Sequence, residues 1–230
     1  DLMSDSPAPF PPSGEVYDHV VDVRVDASEG GLMTAEFRPW SELVEPFKFD
    51  MDAPFFSMLV PTVDTTRFSY LLEVLIEADR SVLYTGVTGV GKSVVATDAL
   101  RRLEEPKGLV PVFINFSAQT AALDTQLLIE SKLEKKRKTR LGAPIGKKIV
   151  ILVDDVNMPA REVWGAAPPI ELLRQFQDYR GFYDRQKLFF KDIEDVVLCA
   201  ACGPPGGGRQ EMTPRFTRHF TMLALPQPDD

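Results

Sequence analysis

The sequence lacks any run approaching the ~20 apolar residues that a membrane-crossing helix needs, and no signal-peptide pattern opens it. No membrane partner is expected. Cysteine is scarce: Cys199 and Cys202 are the only two in 230 residues. They cannot supply a disulfide framework, and their scarcity suits a reducing compartment. Their spacing is that of half a redox or metal motif, but His19 and His219, the only histidines, have no partners at ligand spacing. Two buried thiols are the simpler reading. Positive charge is not in excess either. With 26 Lys and Arg against 34 Asp and Glu, the formal charge is −8, a field that repels a phosphate backbone. No direct nucleic-acid contact is expected.

What is present is ordinary for a packed domain: 44% hydrophobic and 26% charged residues, enough for a full core. The chain opens at Asp1 without Met and stops at Asp230 soon after a strand-like run, so it reads as a piece cut from something longer. Ser6–Ser13 is proline-rich and extended, Val20–Val25 alternates with the period of a half-buried strand, and Gly30–Gly31 breaks the pattern. Trp40, Phe47, Phe49, Phe55 and Phe56 then form an interrupted aromatic cluster, expected to pack this lead-in against a neighbouring body.

From Val60 the pattern becomes regular. Helices are expected at Thr66–Ala78, Val94–Leu103, Leu123–Arg137 and Ile170–Tyr179. Strands are expected at Ser81–Thr85, Val110–Phe116, Ile149–Val153, Val196–Cys202 and Phe220–Leu225. Such alternation predicts an α/β fold whose largely parallel sheet is covered on both faces. Lys132–Arg140 is a basic run, read as a solvated helix end, with a nucleic-acid contact as the alternative. Gly181–Asp195 alternates aromatic and charged residues and predicts a hairpin insert, with Phe189 and Phe190 as packing residues.

Between a strand and a helix stands GVTGVGKS, comprising Gly86, Val87, Thr88, Gly89, Val90, Gly91, Lys92 and Ser93, with Val94 following. Glycines let such a loop turn its N–H groups inward beneath a helix N-terminus, which creates an anion site. Lys92 is expected to reach the β and γ phosphates of a nucleoside triphosphate, and Ser93 to ligate magnesium. The apolar run at 149–153 ends in Asp154 and Asp155. Asp154 is a candidate magnesium ligand and Asp155 a candidate for orienting the attacking water, although two aspartates there also suit a capping turn.

Together with VPTVDTTRFSYLL from Val60, VDDVNMP from Val153, ACGPPGGGR from Ala201 and TPRFTRHF from Thr213, the chain resembles an AAA+ module of a dynein heavy chain. Specifically, it resembles the third module of the motor ring, in a form similar to axonemal inner-arm chains. The resemblance implies a P-loop NTPase, a three-layer sandwich with a five-stranded parallel sheet and no small helical lid within the segment. Residues 1–46 would be a lead-in from the preceding module and 47–230 the large nucleotide-binding subdomain.

The resemblance also implies ATP or ADP with Mg2+, the base lined by Val63, Asp64 and Thr65, and Arg215 as an arginine finger reaching the adjacent module, with Arg218 the alternative. The implied partners are adjacent modules and the linker. Through the full-length chain, with its coiled coil and stalk, they extend to the microtubule and the intermediate and light chains. The setting is cytoplasm and cytoskeleton, in the axoneme of a cilium or flagellum. Two departures bear on activity. Asp155 stands where AAA+ hydrolases usually have Glu, and Gly203 stands where they commonly place an Asn. Binding with slow or absent hydrolysis is therefore expected, since catalytic geometry is sensitive to offsets of about 1 Å.

Overall fold

The computed structural model describes residues 11, 14–26, 32–47, 49 and 59–227. Its chain divides into two compact units, residues 1–67 and 68–230.

In the first unit, β1 (His19–Asp26) and β2 (Leu32–Pro39) form an antiparallel pair with His19 opposite Pro39 and Asp26 opposite Leu32. The alternating strand is present, but its burial is not the expected one. Val21 and Val23 are exposed, whereas Asp22 is ion-paired at 3.2 Å with Arg38 on β2. Trp40 is buried and its indole N–H donates to the Tyr17 carbonyl at 3.1 Å. Phe47 and Phe49 are exposed, so the expected aromatic cluster is not packed at these positions; Phe55, Phe56, Gly30 and Gly31 lie outside the described residues. Of Ser6–Ser13, only Pro11 is described.

Helix α1 (Val63–Glu77) runs from the first unit into the second. It starts three residues before the apolar periodicity does, because Thr62 and Thr65 cap it reciprocally. The Thr65 N–H donates to Thr62 Oγ1 at 3.2 Å and the Thr62 N–H to Thr65 Oγ1 at 2.7 Å.

The second unit continues with β3 (Ser81–Thr85), α2 (Lys92–Arg102), the short α3 (Glu104–Lys107), β4 (Leu109–Asn115) and α4 (Ala122–Ser131). Next come β5 (Glu134–Arg137), β6 (Arg140–Gly142), β7 (Lys148–Asp154) and α5 (Pro168–Tyr179). The chain then forms β8 (Gly181–Tyr183), β9 (Phe190–Glu194), β10 (Val196–Cys202), the one-turn α6 (Pro214–Thr217) and β11 (Phe220–Ala224). Five strands form one sheet in the order β11-β3-β10-β7-β4, and every neighbouring pair is parallel.

Every residue of β10 is buried, which requires cover on both faces. One face carries Leu83, Ile149, Ile151, Val153, Leu198 and Ala200 against Ile129 of α4 and Leu173 and Phe176 of α5. The alternate residues face the other way, where the Tyr84 hydroxyl donates to the Phe68 carbonyl of α1 at 2.8 Å. Three layers result, as the alternation predicts. Cys199 and Cys202 fall on opposite faces of β10, and both are free and buried. Burial pushes the Cys199 thiol up to about 12, as befits an inert core thiol.

The basic run departs from expectation. Its helix ends at Ser131, and the chain turns into β5, which pairs antiparallel with β6 across Lys138 and Thr139. Charge alone did not distinguish a helix end from a hairpin. The expected insert at 181–195 is present as the antiparallel pair β8 and β9, joined through β9 to β6 in a four-stranded sheet. Polar groups dock it on α4. The buried Gln126 amide donates to the Tyr183 carbonyl and to Glu130, both at 2.8 Å, and accepts from Arg185 at 2.8 Å. Lys191 pairs with Glu130 at 2.7 Å and Asp184 at 3.0 Å. Phe182 is fully buried against Phe176, with ring centroids 5.7 Å apart, whereas Phe189 and Phe190 are half-buried.

Leu198→Ala at the centre of β10 opens a cavity and should cost about 2–5 kcal/mol in denaturant titrations. The Asp184 carboxyl is held down to about 2 by backbone N–H groups led by that of Lys187, and by Lys191. A depressed carboxylate stabilises the folded state above its unfolded pKa of about 3.9 and loses that contribution as pH falls towards 2. Hydrogen exchange in β8 and β9 should accelerate across that window, and Asp184→Asn should remove that component of the pH response.

Candidate functional site

Because all five central strands are parallel, their carboxyl ends share one edge of the sheet. The chain leaves β3 for the far strand β4, but leaves β10 in the opposite direction for β11, so a crevice opens between the diverging loops. The phosphate-loop sequence occupies that crevice. Gly86 follows β3 with φ +148°, and an added Cβ would lie 2.8 Å from the Leu225 carbonyl oxygen. The Leu225 N–H in turn donates to the Thr85 carbonyl at 2.8 Å, which ties the start of the loop to the end of β11. Gly91, left-handed at φ +85°, is the N-cap of α2 and accepts the Val95 N–H at 2.9 Å. Val87, Thr88 and Gly89 are exposed, while Val90 and Ser93 are half-buried. Lys92 crosses back over the loop and donates to the carbonyls of Gly86 at 2.9 Å and Val87 at 2.7 Å.

Asp154 is the last residue of β7, two strands from β3 with β10 between them. Its Oδ1 accepts the Asp155 N–H at 2.9 Å. Asp155 is left-handed at φ +48°, a conformation costly for most residues with a Cβ but tolerated by Asp. At the end of β10 come Cys202 and Gly203, with Cys202 in register with Thr85. Burial raises the Cys202 pKa, and the charges of Lys92, Asp155 and Arg209 all act on its thiol. The two halves of the candidate site thus converge on one strand end.

Magnesium accepts hard oxygen ligands, needs only one or two from protein, and completes its shell with phosphate and water. The Ser93 hydroxyl and the Asp154 carboxylate fit that requirement. Among the described residues no group of three or more His, Cys, Asp or Glu could form an all-protein cage.

Two residues went unassigned in the sequence. Arg209, after the glycines of GPPGGGR, donates through Nε at 3.2 Å and Nη2 at 3.0 Å to Asp155 Oδ1. Asn157, buried in VDDVNMP, donates to the carbonyls of Gly203 at 2.9 Å and Gln210 at 3.1 Å. Its backbone carbonyl accepts the Gln210 N–H at 2.8 Å, so the residue clasps both ends of the glycine loop. That loop is closed by reciprocal backbone bonds between Gly206 and Arg209, both 3.0 Å. The only sequence signal for either residue was its place within VDDVNMP or ACGPPGGGR.

Val63, Asp64 and Thr65 form the first turn of α1 in the first unit. Arg215, on α6, is exposed and lines an open groove of about 560 Å³ with Glu171, Arg174 and Arg185, none of them in the phosphate loop. It has no side-chain partner among the described residues. Arg218 is committed within the chain, 2.8 Å from Asp178, which also pairs with Arg174 and lies 3.1 Å from His219. Partial burial opposes the charge on Asp178, but these cations outweigh it and lower its pKa.

A parallel three-layer sheet with a glycine-rich phosphate loop at its switch point and an acidic pair on a nearby strand defines a P-loop nucleotide-binding module. The family described as the P-loop containing dynein motor region matches residues 47–228, and the chain belongs to it. It is 58% identical over 197 residues to human dynein axonemal heavy chain 6, with 86% of this chain and 5% of that protein covered. Mouse dynein axonemal heavy chain 3 is 42% identical over 219 residues, covering 94% of this chain and 5% of that protein. Mouse dynein axonemal heavy chain 1 is 41% identical over 235 residues, covering 96% and 5%. The chain thus spans about one twentieth of the length of these relatives.

Gly86 offers a direct check of the loop geometry. Gly86→Ala places a methyl against the Leu225 carbonyl at a φ that L residues rarely adopt. Nucleotide binding at this site should fall about 5- to 160-fold, the equivalent of the ~1–3 kcal/mol of strain such a position stores. Fluorescent-nucleotide titration reads the loss.

Proposed function

We propose that this chain is an ATP-binding regulatory AAA+ module, the third of the motor ring in an axonemal inner-arm heavy chain, and that it hydrolyses ATP slowly. Support for the module and arm type comes from the segments VDDVNMP, ACGPPGGGR and TPRFTRHF. In this reading residues 1–46 lead in from the preceding module and 47–230 form the large subdomain. Adjacent modules and the linker are direct partners. The microtubule and the intermediate and light chains are reached through the full-length minus-end-directed motor, in the cytoskeleton of the axoneme.

Lys92 and the loop N–H groups bind the phosphates, Val63, Asp64 and Thr65 line the base, and Asp155 orients the water that attacks the γ phosphorus. Ser93 and Asp154 would hold Mg2+, whose charge offsets that of the β and γ phosphates. Slow turnover rests on one observation: the Asp155 carboxylate is already ion-paired to Arg209, beside a glycine at 203 that has no amide to hold a water. The same observation favours the second reading, a nucleotide-binding structural module without hydrolysis.

Single-turnover hydrolysis by the intact motor with its first module disabled separates the two. Slow hydrolysis requires residual turnover that Asp155→Asn abolishes; turnover indifferent to that substitution removes Asp155 from the chemistry. Lys92→Ala should abolish nucleotide retention at this site.

Arg215, rather than Arg218, is proposed as the finger towards the adjacent module, because of the two only Arg218 has a side-chain partner among the described residues. Arg215→Ala should loosen the nucleotide held by that neighbour about tenfold, the worth of one charge-assisted contact, with a smaller effect for Arg218→Ala. Nucleotide off-rates measure both.

A further inference from the structure

Three observations converge on Arg209. First, its side chain lies over Gly203: a Cβ added there would stand 2.8 Å from Nε and 2.9 Å from Cδ of Arg209. The space that a side chain at 203 would enter is filled by a guanidinium. Second, the arginine is delivered there by fixed backbone, through the Gly206–Arg209 bonds and the Asn157 clasp on either side of the loop. Third, its hydrogen bonding is incomplete. A guanidinium has five N–H donors, and among the described residues it uses two, both on Asp155 Oδ1. The side chain is 23% exposed, so the remaining donors sit at the rim of the site and not in its core. Cys202 is in register with Thr85, so Arg209 over Gly203 and Lys92 on the Gly86 carbonyl stand at the ends of neighbouring strands.

We propose that Arg209 reads the terminal phosphate in cis, holding Asp155 with one edge of its guanidinium and a γ-phosphate oxygen with the other, in place of a side-chain amide at 203. This rests on the reading of Gly86–Ser93 as the nucleotide site. A planar fork suits such bridging, because its two edges can serve two oxyanions at once. ADP has no γ phosphate, so Arg209 contributes to the preference for ATP over ADP and little to ADP affinity itself. Arg209 is thereby a specificity-determining residue that also positions Asp155.

The test is equilibrium binding to the full-length motor chain of two fluorescent ribose-labelled nucleotides: ADP, and an ATP analogue with a non-hydrolysable terminal linkage. The binding component lost in Lys92→Ala belongs to this site. Within that component, Arg209→Ala should lower the ATP-over-ADP preference about tenfold, the worth of one charge-assisted hydrogen bond, while ADP affinity changes by less than about threefold. Arg209→Lys keeps the charge without the fork and should recover part of the preference. Gly203→Ala, whose new methyl displaces the guanidinium, should reproduce the loss with Arg209 intact. A preference within about twofold of the parent in Arg209→Ala, or equal weakening of both nucleotides, overturns the role of Arg209 while leaving the site standing. If Lys92→Ala removes no component, the nucleotide-site reading itself falls and the proposal with it.

Discussion

The second unit depends on the burial of β10. A strand with water on neither face cannot exist without a layer of helices on each side, and each neighbouring strand must pair with it fully to satisfy its N–H and C=O groups. The partners it takes, β3 and β7, are both parallel to it. Parallel pairing requires crossovers, the crossovers supply the helices, and the carboxyl ends of all five strands then meet at one edge. The phosphate loop, the acidic pair and Gly203 are neighbours because of that one packing requirement.

At that edge the electrostatics are those of a site assembled from opposed charges. Lys92 is held over the loop by two carbonyls, and Asp155 is held by Arg209. An amide at position 203 would position water without altering charge, whereas an arginine in the same space brings a cation to a site that must bind a polyanion. That exchange is the physical basis of the proposed reading, in which binding outweighs hydrolysis.

The insert sheet obeys a different rule. Gln126, Glu130, Asp184, Arg185 and Lys191 make a shared polar network that fixes β8 and β9 on α4. Burial opposes the charge on Lys191, but its two carboxylates outweigh this and its pKa is raised. Satisfied networks of this kind specify one docking geometry more sharply than apolar contact does. The central sheet, by contrast, is held by apolar packing.

The periodic elements were legible without coordinates: β3 and β10 have the expected ends, and the other central strands and α5 differ by one or two residues, because apolar periodicity and length are local properties. The phosphate loop was legible for the same reason, since its glycines, Lys92 and Ser93 act within one turn of chain. The basic run was not, because Glu134–Arg137 became a strand only by pairing with Arg140–Gly142, which itself pairs with β9 some fifty residues later. Nor was Val21 and Val23 exposure, which depends on what covers the hairpin and not on its alternation. Sequence by itself determined which residues could cradle a phosphate and which strands could be buried. Only the tertiary structure decided that Arg209 folds over Gly203 onto Asp155, because that contact joins the ends of two strands distant in sequence and adjacent only once the sheet has formed.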